Sequence, residues 1–296
     1  MISVLIPVYN YRVFGLVDEL QKQLALSGIK YEIRCRDDAS DNEFTKRNER
    51  IRKFENTYYS INKTNLGRVA TRQLLAEASK FDWLLFLDAD VIPKNKNFVK
   101  NYIQATRFDC DAVFGGFAYQ KKSPPAGVEL RWIYGGKNEQ IKASLRNKKP
   151  YKVVISANFL IKKSEFKKLN KQISNTGYGL DNYFGSLLNA HKVKVKHIDN
   201  EVFHLGLESN QIYLRKKEQA AETLLHLYES GKITAHENDL LKLYVFLKMY
   251  SLVPLFSWLH KIFKTSLKRN LTGSKPSVNL LQFYRISYLC YITNNP

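Results

Sequence analysis

Apolar residues fall along this chain in short dense runs separated by longer amphipathic stretches. Ser3–Val8, Tyr31–Arg36, Thr57–Ile61 and Trp83–Leu87 read as strands. Between them, Val13–Leu26 carries Leu16, Val17, Leu20 and Leu24 near helical spacing. A charged stretch to about Glu55 and the segment Val69–Ser79 are helical as well. Strand and helix alternating in this way predict a parallel sheet covered by helices. In such sheets ligands gather beyond the carboxyl ends of the strands, which is where Asp37-Asp38 and Asp88-Ala89-Asp90 fall.

The second half is less regular. A glycine-containing strand over Ala112–Tyr119 leads into a basic segment at 137–171, which overlaps a further apolar strand at Val153–Ile161. Gly177-Tyr178-Gly179-Leu180-Asp181 opens a helix to Leu188, and a strand at Val193–Ile198 runs towards Phe203-His204. From Ser209 onward the pattern is helical almost to the end. No internal repeat is present.

Composition narrows the class. The chain has 296 residues, 44% hydrophobic and 25% charged, so it is neither disordered nor, with 14 Gly and 8 Pro, collagen-like or of low complexity. Its length suits one large domain, or one with an appendage. Cys35, Cys110 and Cys290 are odd in number and far apart, which argues against a disulfide framework or a zinc-thiolate site and fits a reducing compartment. The first residues lack a basic leader and reach a proline quickly, so they read as a buried strand and not a signal peptide.

The net charge of +20 speaks to partners: nucleic acid, anionic lipid or phosphorylated small molecules. The stretch 240–296 carries eight basic residues and no acidic one. Within it, Leu240–Phe263 is rich in large apolar groups but is interrupted by Lys248 and Pro254, short of the ~20 apolar residues of a membrane span. Two readings fit: a helix lying in an anionic membrane surface, or one packed on its own domain with lysines in water.

Several residues could carry chemistry. Asp88 and Asp90 are hard oxygen ligands suited to Mg2+ or Mn2+, or they belong to a solvated turn with a helix cap. His204 ends an apolar strand, as a ligand or a structural residue. Asp181 is a candidate base or a helix cap. Asn65-Leu66-Gly67-Arg68 precedes a helix, where Arg68 and Arg72 offer charge to a phosphate or simply face water. No GxxxxGK[ST], GxGxxG or GxSxG sequence occurs.

Taken in order, six segments resemble the family 2 glycosyltransferases of the GT-A fold. They are Ser3–Asn10, Asp37–Ser40, Asn65–Arg68, Leu85–Asp90, Gly177–Asp181, and His197–Asn200 through His204-Leu205-Gly206. The resemblance implies an α/β, Rossmann-like, mostly parallel sheet covered by helices over residues 1–208, with a nucleotide-binding half at about 1–110 and an acceptor-binding half at 111–208. A helical C-terminal appendage then occupies 209–296, beyond the resemblance. It further implies an inverting, metal-dependent transfer from a nucleoside-diphosphate sugar, usually a UDP-sugar, to a hydroxyl of a glycan or lipid-linked glycan. Surface polysaccharide or lipopolysaccharide biosynthesis would be the setting, in the cytoplasm or on the inner face of the cytoplasmic membrane.

By the same resemblance Pro7 and Tyr9 lie against the base, Asp38 accepts a hydrogen bond from it, and Gly67 and Arg68 run along the nucleotide. Asp88 faces the ribose and sugar, Asp90 holds Mn2+ or Mg2+, and His204 is a further ligand to metal or phosphate. The family's Glu-Asp pair after the glycines is Leu180-Asp181-Asn182 here, so Asp181 is the carboxylate left for the base in either register. Trp132, Tyr134 and Asn158 line the acceptor site, or Trp132 and Tyr134 are core. Two rivals are a sugar-phosphate nucleotidyltransferase, which wants a glycine-rich basic loop where Pro7–Tyr11 stands, and a basic RNA-binding protein, which wants lysines interleaved with aromatics on one face. Neither pattern is met, and nucleic acid is not an expected partner.

Overall fold

The computed structural model describes residues 1–120, 124–174, 177–233 and 236–295. The first stretch runs β1 (Ile2–Val8), α1 (Phe14–Ala25), β2 (Tyr31–Asp37), α2 (Asn42–Asn48), a 3-10 turn (Glu49–Lys53), β3 (Thr57–Ile61), α3 (Arg68–Ala78) and β4 (Trp83–Leu87). There follow β5 (Val91–Pro93), α4 (Phe98–Ala105), β6 (Ala112–Phe114), β7 (Phe117–Ala118), α5 (Glu129–Asn138), α6 (Ala143–Arg146), β8 (Asn158–Lys162) and α7 (Lys163–Asn170). The rest comprises α8 (Leu180–Ala190), β9 (Val195–His197), β10 (Val202–His204), α9 (Asn210–Glu229), α10 (Asp239–Met249), α11 (Val253–Thr272) and α12 (Val278–Asn294).

The chain forms two compact units. One is built from Met1–Ala118, Gln140–Thr176 and His191–Gly206, the other from Tyr119–Glu139, Gly177–Ala190 and Leu207–Pro296.

In the first unit a sheet runs in the order β3-β2-β1-β4-β8-β6-β9. Only β8 runs against its neighbours, so the sheet is mostly parallel, as the alternation predicted. Val4, Leu5, Ile6 and Leu84–Leu87 are buried without alternation, as expected of central strands covered on both faces. Phe86, Phe159 and Phe166 stack through the same core.

The strand expected at Ala112–Tyr119 is two strands in different sheets, broken at Gly115-Gly116. A Cβ on Gly115 would lie 2.4 Å from the Asn200 carbonyl oxygen and 2.5 Å from both Asn158 Nδ2 and the Tyr102 hydroxyl. Gly116 has φ +88°, and a Cβ there would meet the Arg146 guanidinium. The break lets β7 join a small sheet, β5-β10-β7.

Arg146 pins this turn. It is 2% exposed, and its guanidinium donates to the carbonyls of Phe114, Gly115, Ile141 and Ile198. It also donates to His197 Nδ1 at 2.7 Å, while His197 Nε2 donates to the Pro150 carbonyl at 2.8 Å. An arginine can only donate and a carbonyl can only accept, so His197 is held as the neutral Nε2–H tautomer. Burial pushes its pKa down to about 4, with the Arg146 charge adding to that. Asn158, expected at an acceptor site, is fully buried here and donates to the carbonyls of Gly116 and Asn200. It is a bracket for the turn.

The second unit has a helical core of Leu130, Tyr213, Leu214, Leu267, Leu271, Leu281 and Tyr284, against which Tyr134 packs. Tyr134 is thus core, while Trp132 is half-buried and donates from Nε1 to the Gln120 carbonyl. Asn210 ties three elements together: Oδ1 accepts from Leu130 N, and Nδ2 donates to Glu129 and to the Gly273 carbonyl after α11.

Candidate active site

The carboxyl ends of β1, β2 and β4 open on one cavity of about 310 Å³, lined by Pro7, Tyr9, Tyr11, Asp38, Gly67, Arg68, Thr71, Asp88 and Asp90 among others. Seven residues singled out from the sequence therefore share a wall. His204 joins them by direct contact with Asp90.

Register explains the meeting. Val8 of β1 pairs with Asp37 of β2, and Asp38 N then donates to the Val8 carbonyl at 2.8 Å. Asn10 and the β2 exit are sutured: Asn10 N donates to Ser40 Oγ at 2.8 Å, and Asp41 N donates to Asn10 Oδ1 at 2.8 Å. Both turns use left-handed backbone, Asn10 at φ 45° and Ala39 at φ 62°. Asp38 is 4% exposed. Its Oδ1 accepts from Asn62 Nδ2 at 2.7 Å and Leu66 N at 2.9 Å, and its Oδ2 accepts from Gly67 N at 2.8 Å. Three donors fix the loop that starts α3, leaving one of about four lone-pair sites on the carboxylate for anything else.

Asp88 sits between two arginines. Arg72, itself 6% exposed, donates from Nη2 to Asp88 Oδ1 at 2.5 Å and to the Ser156 carbonyl at 2.7 Å. Arg68 Nη1 lies 3.6 Å from Asp88 Oδ2. The pair at one helical turn's spacing on α3 thus orients Asp88, with Arg68 lining the cavity beside it and Arg72 buried behind.

Asp90 leaves β4 and enters β5, whose Val91 pairs with His204 of β10. Leu205 N donates to the Asp90 carbonyl at 2.8 Å, and His204 Nε2 lies 3.3 Å from Asp90 Oδ2. The Phe117 ring stands 5.2 Å from the imidazole. Gly206 completes the corner, since a Cβ there would fall 2.1 Å from Asp90 Oδ2. Burial and the negative charge of Asp90 raise the Tyr11 phenol above its usual pKa, so Tyr11 stays a neutral hydroxyl in the cavity.

These donors suit a divalent cation. Two neighbouring ligands of an octahedral ion with bonds of about 2.1 Å lie about 3 Å apart, close to the 3.3 Å between His204 and Asp90. No cluster of three or more His, Cys, Asp or Glu able to hold a metal occurs among the described residues. A carboxylate with oxygens from water and phosphate is an ordinary arrangement for Mg2+, and an imidazole nitrogen beside it suits a first-row transition ion better than Mg2+.

Asp181 belongs to the second unit, in the first turn of α8. The glycines before it serve packing: Gly179 has φ +93°, and a Cβ there would lie 2.8 Å from Ala220 Cβ on α9. Asn182 N donates to the Gly179 carbonyl, and Asn182 Oδ1 accepts from Asn238.

No sequence signal points to Tyr11 or Thr71, whereas Gly206 is part of the matching segment His204-Leu205-Gly206 without its packing role being visible there. The segment His197–Asn200, one of the matching motifs, holds the Arg146 bracket and the buried Asn200, whose Nδ2 donates to the Phe98 carbonyl.

The family model described as glycosyl transferase family 2 matches residues 3–169. A comparison with curated proteins found no match. Among solved structures, the mannosyltransferase PcManGT from Pyrobaculum calidifontis in complex with GDP-Man and Mn2+ is similar at 12% identity and TM-score 0.59, covering 99% of this chain and 86% of that one. S. aureus TarS 1-349 in complex with UDP-GlcNAc is similar at 14% identity and TM-score 0.51, covering 99% and 92%. S. aureus TarS in a longer form is similar at 17% identity and TM-score 0.50, covering 76% of this chain. This chain spans only 39% of that longer TarS chain. At these identities the likeness is one of fold.

Proposed function

The chain belongs to glycosyl transferase family 2, and from that premise we propose that it transfers a sugar from a UDP-sugar to a hydroxyl of a glycan or lipid-linked glycan, inverting the anomeric carbon. The observation that carries the proposal is the corner where Asp90, His204 and the arginine-bracketed Asp88 meet at the end of β4. A nucleoside diphosphate presents a base, a ribose and concentrated negative charge. The cavity offers Pro7 and Tyr9 as an apolar surface, Asp38 as an anchored acceptor, and Gly67 and Arg68 along the start of α3. Helix starts of this kind favour anions.

Asp90 and His204 are the residues to hold Mn2+ or Mg2+, and a cation there supplies the charge that offsets the leaving diphosphate. Arg68 adds a second positive group, partly exposed on the cavity wall. Asp181 is assigned as the base that takes the acceptor hydroxyl's proton, and one base with one displacement inverts the carbon. The fold neighbours solved with UDP-GlcNAc and with GDP-Man support a nucleotide-sugar donor, and the one solved with Mn2+ supports a cation. A charge of +20 suits acidic surface glycans or their lipid-linked precursors as acceptors, handled on the cytoplasmic side of the membrane.

The test is a panel of UDP- and GDP-sugars incubated with the full chain and Mn2+, following release of nucleoside diphosphate and the anomeric configuration of the product by NMR. UDP release that stops with EDTA, an inverted product, and loss of turnover in Asp181→Asn with donor affinity unchanged are expected. Activity indifferent to EDTA removes the cation from the scheme, and retained configuration removes the single displacement.

A further inference from the structure

Helices α10 and α11 pose a separate question. The sequence of α10, Asp239–Met249, is apolar nearly all the way round, a pattern that normally marks a helix covered on every side. Here one side is covered. Leu240, Leu241, Tyr244 and Leu247 are buried, while Leu243, Val245, Phe246 and Met249 are exposed. The next helix repeats the arrangement. In α11, His260, Leu267 and Leu271 face inward, with His260 Nδ1 3.0 Å from Ser287 Oγ of α12, while Leu255, Trp258, Ile262 and Phe263 face outward.

The two helices meet at a bend of 117° around Tyr250-Ser251-Leu252. Ser251 takes left-handed backbone at φ 57°, and Pro254 opens α11. The exposed apolar groups flank that bend. Phe246 and Tyr250 lie with ring centroids 4.6 Å apart on one arm, and Leu255 and Trp258 lie on the other. Lys242, Lys248, Lys261 and Lys264 on the same two helices are exposed, the last two reaching over the Tyr291 ring of α12, and Asp239 in the first turn of α10 is the last acidic residue of the sequence. No single helix among the described residues is long and apolar enough to cross a membrane.

We propose that this elbow docks on an anionic lipid bilayer, with Phe246, Met249, Tyr250, Leu255 and Trp258 entering the headgroup–acyl boundary and the lysines binding lipid phosphates. Charge selects this occupant. A second copy meeting the patch across a two-fold axis would set the same lysines against themselves. An anionic bilayer instead offers opposite charge at the rim and hydrocarbon at the centre. By length and composition α10 and α11 together match a bent span, but their inward faces are taken up by their own unit, which favours an elbow lying on the surface. The proposal stands independently of the sugar-transfer reaction, because its readout is binding.

The experiment is flotation of the full chain with vesicles of phosphatidylcholine, with and without phosphatidylglycerol, at low and high salt. Binding that needs the anionic lipid and weakens with salt is expected. Phe246→Ser with Trp258→Ser should lower partitioning roughly ten-fold or more, and each of Lys242→Gln and Lys261→Gln about five-fold. Brominated acyl chains should quench wild-type fluorescence, and Trp258→Phe should remove the quenchable part. All four side chains are exposed; if the double variant melts early, the lysine variants carry the test. Three results overturn the proposal. One is no binding to anionic vesicles at low salt, and another is binding unchanged in both sets of variants. The third is a dimer in light scattering that Phe246→Ser dissociates, without vesicle binding.

Discussion

Gly206 has no side chain, and that is its contribution. The space its Cβ would occupy is filled by the Asp90 carboxylate, 2.1 Å from the ideal position. Gly206→Ala therefore leaves the backbone able to fold but forces Asp90 to rotate away from His204. Thermal unfolding should show a loss of about 1–3 kcal/mol, since the carboxylate can rotate but the Asp90 Cβ, 3.0 Å from the ideal position, must give as well. Mn2+-dependent donor binding should weaken at least ten-fold. A variant with intact donor affinity would show that the position of Asp90 is not what the cavity needs. The sequence disclosed Asp88, Asp90 and His204 as residue types, but not this constraint. A glycine two residues past a histidine has no periodic signature, and its reason lies 116 positions upstream in the chain. Asp38 teaches the same lesson from the other side. Its place after β2 was legible, whereas its three protein donors, drawn from residues 62–67, were not.

Elements built on dense apolar runs were readable because a central strand buried on both faces needs little but hydrophobicity. β1, β2, β3 and β4 fall close to where the pattern put them. The errors lie where a polar bracket decides. The run 112–119 looks like one strand until the Gly115-Gly116 break is explained by Asn158, Asn200, Tyr102 and Arg146, three of them far along the chain. Helices α4, α5 and α7 were not anticipated; Gly135-Gly136 within α5 and the lysines of α7 obscured their periodicity. The bracket makes its own prediction. Gly115→Ala places a methyl against backbone oxygen and two buried polar groups, with no flexible neighbour to yield. Chemical denaturation should record a loss of about 3 kcal/mol or more, and a near-neutral result would mean the turn is not pinned as described.

For the molecule as a whole, acid stability follows from the same bracket. His197 is neutral when folded, with its pKa pushed down to about 4, while an unfolded histidine titrates near 6.5. Between those values the unfolded chain binds a proton that the folded chain refuses, so stability falls as pH drops from about 6.5 to about 4. The loss from His197 is on the order of 3 kcal/mol. His260, pushed down to about 4 by burial as well, acts in the same direction. Denaturant midpoints measured from pH 7 to pH 4 should decline, and a midpoint that rose on acidification would contradict the neutral tautomer. Net charge and the basic C-terminal stretch were plain in the sequence, because charge needs no fold to be counted. The chain's interleaved division into two units was not, since it depends on which distant segments pack together.

The most direct measurement is calorimetric titration of the full chain with UDP-sugars and GDP-sugars in Mn2+, comparing wild type with Asp90→Ala. Saturable binding of one donor by the wild type, weakened at least ten-fold by the substitution and equally by replacing Mn2+ with EDTA, is the predicted result. Equal affinity in both proteins, with or without the cation, would mean that the corner between β4 and β10 is not where the donor's diphosphate is held.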